Sequence, residues 1–217
     1  MYTPRPYLSY SQMSTFEMNP RKFLELYFYE NKQRVSRNMV YGSKLAYGLE
    51  NEESTGDVLL DLAMARLPKF ALMDEVVEDK RGIEVIDPHS GQKHTVPCVK
   101  NGKENIPILA KPDTAKGDLS AFKEYKTSTV KWNQQKADQS GQITFYATAI
   151  WLATGKIPED IELVNVQTEY QPDGNMTVTG EIWRFKTTRS LTDVIRMQSR
   201  IKRAWSSIKT LCANEML

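Results

Sequence analysis

The hydrophobic pattern of this chain changes from a helical to an extended period near residue 70. Before that point apolar side chains recur at helical spacing, as at Phe23, Leu24 and Tyr27. Helix-start signals precede them, with Ser9 or Ser11 as a cap and Asn19-Pro20 as a cap followed by a proline at the first helical position. We therefore predict helices that begin near residues 9, 19, 38 and 57.

Extended segments dominate the chain after residue 70. The strand-like segments are 71–80, 81–87, 94–100, 106–116, 119–128, 160–170 and 175–188. We predict that 106–116 and 119–128 pair antiparallel around Gly117-Asp118, and that the last two segments form a hairpin turned at Pro172-Asp173-Gly174. Residues 132–154 are predicted to be helical and to end at Gly155, and a last helix starts near Ser190.

These elements predict one mixed α/β domain over residues 1–217. Its parts are an N-terminal helical part (1–68), a sheet and helix (69–189) and a C-terminal basic helix (190–217). A chain of 217 residues is long enough for one well-buried core. It contains no apolar run long enough to span a membrane, and its first residues do not have the pattern of a signal peptide. We expect a protein of the cytoplasm, associated with the nucleoid and not with a membrane.

Cysteine and histidine give no sign of a metal cluster. Cys98 and Cys212 are the only cysteines and lie far apart, which excludes a four-thiolate site and suits a reducing compartment. His89 and His94 flank a Ser-Gly turn without acidic or cysteine neighbours at zinc spacing, so we expect them to be surface residues of a hairpin.

Net charge is only +2, but its distribution is uneven. Between residues 184 and 209 a single acid, Asp193, accompanies these eight basic residues: Arg184, Lys186, Arg189, Arg196, Arg200, Lys202, Arg203 and Lys209. A helix with this balance could follow the phosphates of a nucleic acid. It could equally be a solvated face, and composition alone does not decide between the two.

Two carboxylates and a lysine stand at the most informative spacing in the chain. Asp113 follows a proline, and Glu124 and Lys126 come after an interval of ten residues. In a strand Glu124 and Lys126 point to one face, together with Phe122, and Asp113 on a neighbouring strand can reach the same place. The other interpretation is a cross-strand surface salt bridge, which is common.

Phosphodiester hydrolysis uses groups of this kind. Carboxylate oxygens bind Mg²⁺ and leave room for water and a phosphate oxygen on the ion. A lysine nearby orients the water or neutralises developing charge, and the backbone carbonyl of Tyr125 could complete the coordination. Two other Glu-x-Lys triplets in the chain lack a preceding Pro-Asp pair.

In order along the chain, these motifs resemble the signature of the PD-(D/E)XK nuclease superfamily. Pro112-Asp113 and Glu124-Tyr125-Lys126 are similar to its central motif, and Gln142 to Tyr146 resembles the QxxxY motif of its RecB-type, CRISPR-adaptation and phage-exonuclease branch. The segment 8–30 resembles the opening helices of that branch, and Gly42 to Glu50 resembles its G-x-x-x-H-x-x-x-E helix. The resemblance covers residues 8–146.

The resemblance implies a restriction-endonuclease-like core, with a central mixed sheet flanked by helices. It implies that Asp113 and Glu124 bind Mg²⁺ or Mn²⁺, that Lys126 activates water, and that Glu50 helps to complete the metal site. Gln142 and Tyr146, one helical turn apart, would lie beside the scissile phosphate or the metal waters. Without the resemblance, Tyr146 could be a core residue, and Gln142 and Glu50 solvated helix residues.

Two positions depart from the family pattern. The family histidine falls at Ala46, so one ligand commonly associated with metal binding is missing and a second metal ion is not assured. The family cysteine before proline is Asn19, and no C-terminal cysteine cluster exists. We therefore expect a relative without an iron–sulfur cluster.

The leading functional hypothesis is a Mg²⁺-dependent deoxyribonuclease, and within it an exonuclease that acts on double-stranded ends or single strands of DNA in recombination or repair. Such an enzyme would suit a phage, and could work with a helicase, a recombinase or further copies of itself. Two alternatives stay open. One is a structure- or sequence-specific endonuclease with the same metal site. The other is a DNA-binding protein with a degenerate nuclease fold, for which Ala46 is the motivation.

Overall fold

The N-terminal helices come before most of the strands in this computed structural model, which describes residues 3–31, 36–88 and 90–217. The helices are α1 (Tyr10–Met18), α2 (Pro20–Phe23, continued by a π-helical segment Leu24–Phe28), α3 (Arg37–Asn51), α4 (Val58–Met64), α5 (Gln134–Asp138), α6 (Gly141–Thr154) and α7 (Leu191–Asn214). The strands are β1 (Leu8–Ser9), β2 (Leu72–Met73), β3 (Ile83–Ile86), β4 (Lys93–Val96), β5 (Cys98–Asn101), β6 (Glu104–Leu109), β7 (Thr114–Ala115), β8 (Ala121–Ser128), β9 (Asp160–Tyr170) and β10 (Met176–Thr187).

The main sheet has five strands in the order β10-β9-β8-β7-β2. Strands β8 and β9 run parallel, joined by a crossover through α5 and α6, and the other neighbours are antiparallel. A smaller sheet has the order β1-β6-β5, and β3 with β4 forms a separate hairpin. The predicted mixed α/β fold with a central mixed sheet is therefore confirmed.

Helices cover both faces of the main sheet. On one face Phe122 and Leu163 pack in a core with α6, α7 and the smaller sheet, where Phe145 and Ile108 are fully buried. On the other face Tyr125 packs with residues of α3 and α4. Alternate residues of β8 thus enter two different cores, as the pleat of a strand requires. None of the helices that the described residues form is long and apolar enough to cross a membrane.

Capping residues set the helix starts that the sequence predicts. Ser9 caps α1 in a capping box with Gln12, and Asn19 caps α2 immediately before Pro20. Ser190 caps α7, and α6 ends at Gly155, whose φ of +76° is a conformation that glycine adopts without strain. The predicted hairpin of the last two strands is also confirmed.

Two predicted strands differ from the observed ones, one in length and one in being divided. The segment 71–80 forms strand only at Leu72–Met73, because Asp74 has a left-handed backbone with φ +52° and interrupts the extended run. The segment 94–100 divides at Pro97 into β4 and β5, which pair with different partners. His94 lies on β4 beside Glu78, at 3.5 Å between Nδ1 and Oε1, whereas His89 falls outside the described residues.

The antiparallel pairing predicted for 106–116 with 119–128 is largely wrong. Only Thr114 and Ala115 pair with β8, opposite Lys123 and Phe122. Strand β6 instead pairs with β5 and with β1. Pro112 lies between the two stretches and has no N–H to donate, so a continuous ladder cannot pass through it.

The helical stretch predicted over 132–154 is two helices. The chain breaks at Gln139 and Ser140, and the side chain of Ser140 then accepts a hydrogen bond from the backbone N–H of Ile143 to start α6.

Most of the basic residues between 184 and 209 are occupied inside the protein. Arg184 pairs with Glu162, Lys186 with Asp160, Arg200 with Glu17 and Lys209 with Glu104. Helix α7 buries its apolar side in the core, including Ile201 and Ile208. On α7 itself these contacts occupy Arg200 and Lys209, so the prediction that this helix follows phosphates stays open.

Arg189 is the buried member of that basic set and is only 7% exposed. Its guanidinium donates to the hydroxyls of Thr144 and Thr187 and to the carbonyls of Ala137, Ser140 and Thr188, at 2.7–3.2 Å. Burial lowers its pKa. The residue joins the end of α5, the start of α6 and the end of β10, so its role is structural.

We expect Arg189→Ala to lower the free energy of unfolding by about 3 kcal/mol, because several buried acceptors lose their donor. Urea unfolding followed by circular dichroism measures the change. Arg196→Ala, on the exposed side of the same helical region, is the control and should cost less than about 0.5 kcal/mol. A similar small loss for Arg189→Ala would contradict the structural role.

Candidate active site

The site forms where strand β7 stops. Beyond Thr114 the neighbour of β8 is no longer a strand but the side chain of Asp113. Its Oδ2 accepts a hydrogen bond from the backbone N–H of Tyr125 at 2.5 Å. The carbonyl of Asp113 accepts from the N–H of Asp74 at 3.0 Å. The side chain of Asp113 thus accepts a backbone hydrogen bond from β8 that a neighbouring strand would otherwise accept, and this bond fixes its position.

Glu124 and Lys126 lie next to Asp113 on one face of β8. Phe122, on the same face, packs in the α6 core, whereas Tyr125 points to α3 and α4 and donates its hydroxyl to the carbonyl of Pro68 at 2.7 Å. The alternation predicted from the sequence is therefore observed, and it brings Asp113, Glu124 and Lys126 together.

Glu124 is almost completely buried, with 2% of its surface exposed. Its Oε1 accepts a hydrogen bond from Lys126 Nζ at 2.5 Å. Its Oε2 is buried and has no hydrogen-bond partner among the described residues. A buried carboxylate oxygen without a partner costs free energy unless another group, such as a cation, binds it.

The carboxylates of Asp113 and Glu124 repel each other electrostatically. Burial and the negative charge of Glu124 raise the pKa of Asp113 well above its usual value. For Lys126 burial lowers the pKa, but the charges of Glu124 and Asp113 outweigh it, so the pKa of the ammonium is raised. Lys126 is therefore protonated at neutral pH. One ammonium faces two carboxyl groups, so the positive charge at the site does not match the negative charge that two ionised carboxylates would carry.

Helix α6 supplies Gln142 and Tyr146 to this place. Gln142 Nε2 donates to the hydroxyl oxygen of Tyr146 at 2.8 Å, as residues four apart on a helix can. Burial and the charge of Glu124 raise the pKa of Tyr146, so its hydroxyl keeps its proton. Its ring packs edge-on against Phe122, and the residue serves the core and the site together.

A cavity of about 410 Å³ lies between β8 and α3. We call it the α3 cavity; Asp113 and Glu124 line it together with Ala46 and Glu50 of α3. Helix α3 comes close to the strand at Gly42, where an added Cβ would lie 3.2 Å from Thr127 Oγ1. The described residues contain no group of three His, Cys, Asp or Glu side chains positioned to hold one ion. Glu50 thus faces the cavity without joining the two carboxylates.

Asp74 and Lys111 are site residues that the sequence did not indicate. Asp74 lines the α3 cavity, and its Oδ2 accepts from Lys111 Nζ at 2.5 Å. Its negative charge also contributes to the raised pKa of Asp113, as a smaller cause than burial and Glu124. The sequence signal that could have indicated Asp74 is its position inside a strand-like segment, where aspartate is uncommon.

A second cleft, of about 530 Å³, lies on the α1 side of the site. We call it the α1 cleft; Gln142, Tyr146 and Lys111 line it together with Ser9, Tyr10 and Ser11. Hydroxyl, amide and ammonium groups converge there, which is a chemistry suited to a phosphate. Lys111 stands between the two openings, since its ammonium binds Asp74 of the α3 cavity.

The residues present fit a divalent metal ion. Mg²⁺ prefers carboxylate oxygens and is often held by only one or two of them, with water completing its shell. The partnerless Glu124 Oε2 and the Asp113 carboxylate supply two such oxygens, and a cation between them would relieve the repulsion that raises the pKa of Asp113.

Similar folds occur among solved structures. The chain is similar to the crystal structure of "Putative exonuclease" from Eubacterium rectale, with a TM-score of 0.54, 12% identity and coverage of 97% of this chain and 82% of that chain. It is also similar to an alkaline exonuclease from Laribacter hongkongensis, with a TM-score of 0.47, 10% identity and coverage of 98% of this chain and 93% of that chain. No family model and no curated protein sequence matches the chain.

At this level of identity the first similarity shows the fold. The predicted restriction-endonuclease-like architecture is consistent with it, and the fold prediction is confirmed. The particular branch of the superfamily and the roles of the motif residues stay predictions.

The crowded carboxylates predict how stability depends on pH. A carboxyl whose pKa is raised on folding binds its proton more tightly in the folded state. Stability therefore falls as the pH rises from the pKa of the unfolded state, about 3.9, through the pKa of the folded state. In EDTA near pH 8 we expect Asp113→Asn to be more stable than the unmodified protein, and the difference to vanish near pH 4. Urea unfolding at several pH values measures it. Equal stability at all pH values would contradict the electrostatic account.

Proposed function

We propose that this protein is a metal-dependent deoxyribonuclease. Its active site, formed by Asp113, Glu124 and Lys126, hydrolyses phosphodiester bonds of DNA. The observation that carries the proposal is the partnerless, buried Oε2 of Glu124 beside the carboxylate of Asp113 and the ammonium of Lys126. In a buried ion pair with a purely structural role, both carboxylate oxygens are normally hydrogen-bonded. Similarity in fold to an exonuclease structure supports the same class of reaction by analogy only.

In this proposal Asp113 and Glu124 hold Mg²⁺ or Mn²⁺, with the backbone carbonyl of Tyr125 as a further ligand. The bound ion supplies Lewis-acid stabilisation of the phosphate and a water that is more acidic than bulk water. Glu50, on the wall of the α3 cavity, would help to complete the metal site from helix α3.

Lys126 works as a charged donor. The raised pKa keeps the ammonium protonated, so the residue does not accept a proton from water. It holds Glu124 through Oε1 and presents its remaining N–H groups to the attacking water or to a phosphate oxygen. Tyr146 likewise keeps its proton, and its hydroxyl, which already accepts from Gln142, donates toward the phosphate.

The two openings give the substrate a path across the site. The α1 cleft brings the hydroxyls of Ser9 and Ser11 and the amide of Gln142 to one side of the carboxylates, and the α3 cavity opens on the other. A DNA strand that lies in the α1 cleft can place one phosphate against Glu124 and Asp113. The resemblance of Gln142 to Tyr146 to the QxxxY motif of a branch that includes phage exonucleases leads us to propose an exonuclease of recombination or repair.

A cleavage assay on linear double-stranded, linear single-stranded and closed circular DNA tests the proposal. With Mg²⁺ or Mn²⁺ we expect loss of linear DNA only, and no loss in EDTA. Asp113→Asn should reduce the rate by at least about a thousandfold, since it removes a charge that the metal needs. Cutting of the circle would favour the endonuclease alternative. Intact DNA under every condition would contradict the proposal.

Lys126→Ala separates the metal site from the chemistry. The variant keeps both carboxylates, so we expect a metal affinity within about threefold of the unmodified protein but a rate lower by about a hundredfold or more. Isothermal titration with Mn²⁺ and the cleavage assay measure the two effects. If metal affinity fell as far as the rate, Lys126 would have no separate role in turnover.

The degenerate-nuclease alternative depends on Ala46, which lines the α3 cavity together with the carboxylates. If this position belongs to the metal site, Ala46→His should tighten Mn²⁺ binding by about tenfold, because an imidazole is added to the oxygen ligands. The control is Lys44→His, a histidine on the same helix outside that cavity. No gain for Ala46→His over the control would place the ion elsewhere.

A further inference from the structure

Two exposed lysines that follow β8 are held by tryptophan rings. Lys131 Nζ lies 3.3 Å from the ring centroid of Trp183, and Lys136 Nζ lies 5.7 Å from that of Trp132. We call these four residues the lysine–tryptophan strip. A cation–π contact fixes an ammonium without cancelling its charge, unlike a contact with a carboxylate.

The strip differs from three other basic residues of β10 and α7. Arg184, Lys186 and Arg200 each pair with an acid. Neither Lys131 nor Lys136 makes an ion pair within residues 3–31, 36–88 and 90–217. Both ammonium groups are therefore available to an anion, and their positions are already restricted.

The strip lies on the catalytic face of the main sheet. Ile182 packs on the α3–α4 side and Phe185 on the α6 side. Trp183, one residue after Ile182 and two before Phe185, therefore points to the α6 side. This is the face that carries Glu124 and Lys126.

Sheet register places the strip close to Lys126. Lys126 pairs with Asn165 on β9, and Asn165 pairs with Trp183 on β10. With strands about 4.8 Å apart, the backbone of Trp183 lies about 10 Å from that of Lys126. At about 3.4 Å of helix rise for each phosphate of one strand of B-DNA, this distance corresponds to at most about three nucleotides.

Asn165 connects the strip rigidly to the site. It is fully buried, and its amide donates to the carbonyl of Lys126 at 3.1 Å while its Oδ1 accepts from the N–H of Trp132 at 3.2 Å. One buried side chain thus fixes the loop after β8 relative to the catalytic lysine.

We propose that the lysine–tryptophan strip binds the phosphates of a single DNA strand about three nucleotides from the scissile phosphate. The proposal rests on the nuclease function and adds to it the surface that carries the strand beyond the site. The lysines bind phosphate and do not read bases, so the contact is independent of sequence.

The test uses Asp113→Asn in EDTA, which binds DNA without cutting it, and a short fluorescein-labelled single-stranded oligonucleotide. Adding Lys131→Ala and Lys136→Ala should weaken binding about tenfold and lower the slope of log Kd against log salt by about 1.4, which is two single-strand phosphate contacts. Fluorescence anisotropy at several salt concentrations measures both quantities.

Two further variants make the comparison specific. Lys80→Ala with Lys103→Ala removes the same charge from exposed lysines outside the main sheet, and binding should stay within about twofold. Lys131→Arg with Lys136→Arg keeps charge and ring contact, and should also bind within about twofold.

Three results would overturn the proposal. If the double alanine variant of the strip binds as tightly as its Asp113→Asn parent, the strip does not touch DNA, and the nuclease function is unaffected. If the control pair loses as much affinity as the strip, only net charge matters. If the parent binds no DNA at all, the strip and the nuclease function are both contradicted.

Discussion

The hydrogen bond from the Tyr125 N–H to the Asp113 carboxylate is the interaction on which the site depends. It replaces one bond of the β7–β8 ladder with a side chain, and so fixes a buried negative charge beside Glu124 at the open edge of a strand. Repulsion between the two carboxylates is then unavoidable, and the pKa of Asp113 rises. This repulsion costs stability, and the proposed metal ion would remove it.

The basic residues outside the site differ in whether an acidic side chain pairs with them. Most basic residues near the C-terminus are paired with acids or buried in hydrogen-bond networks, as Arg189 is, and they hold helices to the sheet. Lys131 and Lys136 contact aromatic rings instead. Positive charge without an acidic partner is therefore available on the α6 side of the main sheet, although the net charge of the chain is only +2.

Local rules predicted much of this structure. Capping residues gave the starts of α1, α2 and α7, and the period of two along β8 placed Glu124 and Lys126 on one face. The pairing of β6 and the role of Asp74 were not predictable. Which strands pair depends on non-local packing. The ion pair of Asp74 with Lys111 joins segments that are distant in sequence, and Asp74 itself has a left-handed backbone conformation that turns the chain there. The contact of Lys131 with Trp183 likewise joins residues about fifty positions apart.

The central claim is that Glu124 Oε2 and the Asp113 carboxylate hold one divalent ion. The most direct measurement is the anomalous difference map of a crystal soaked in Mn²⁺. The account predicts one strong peak within about 2.3 Å of Glu124 Oε2 and of an Asp113 oxygen, with water as further ligands. A map with no peak there, or a peak only at exposed carboxylates, would contradict it and leave the paired carboxylates as a structural feature of the sheet.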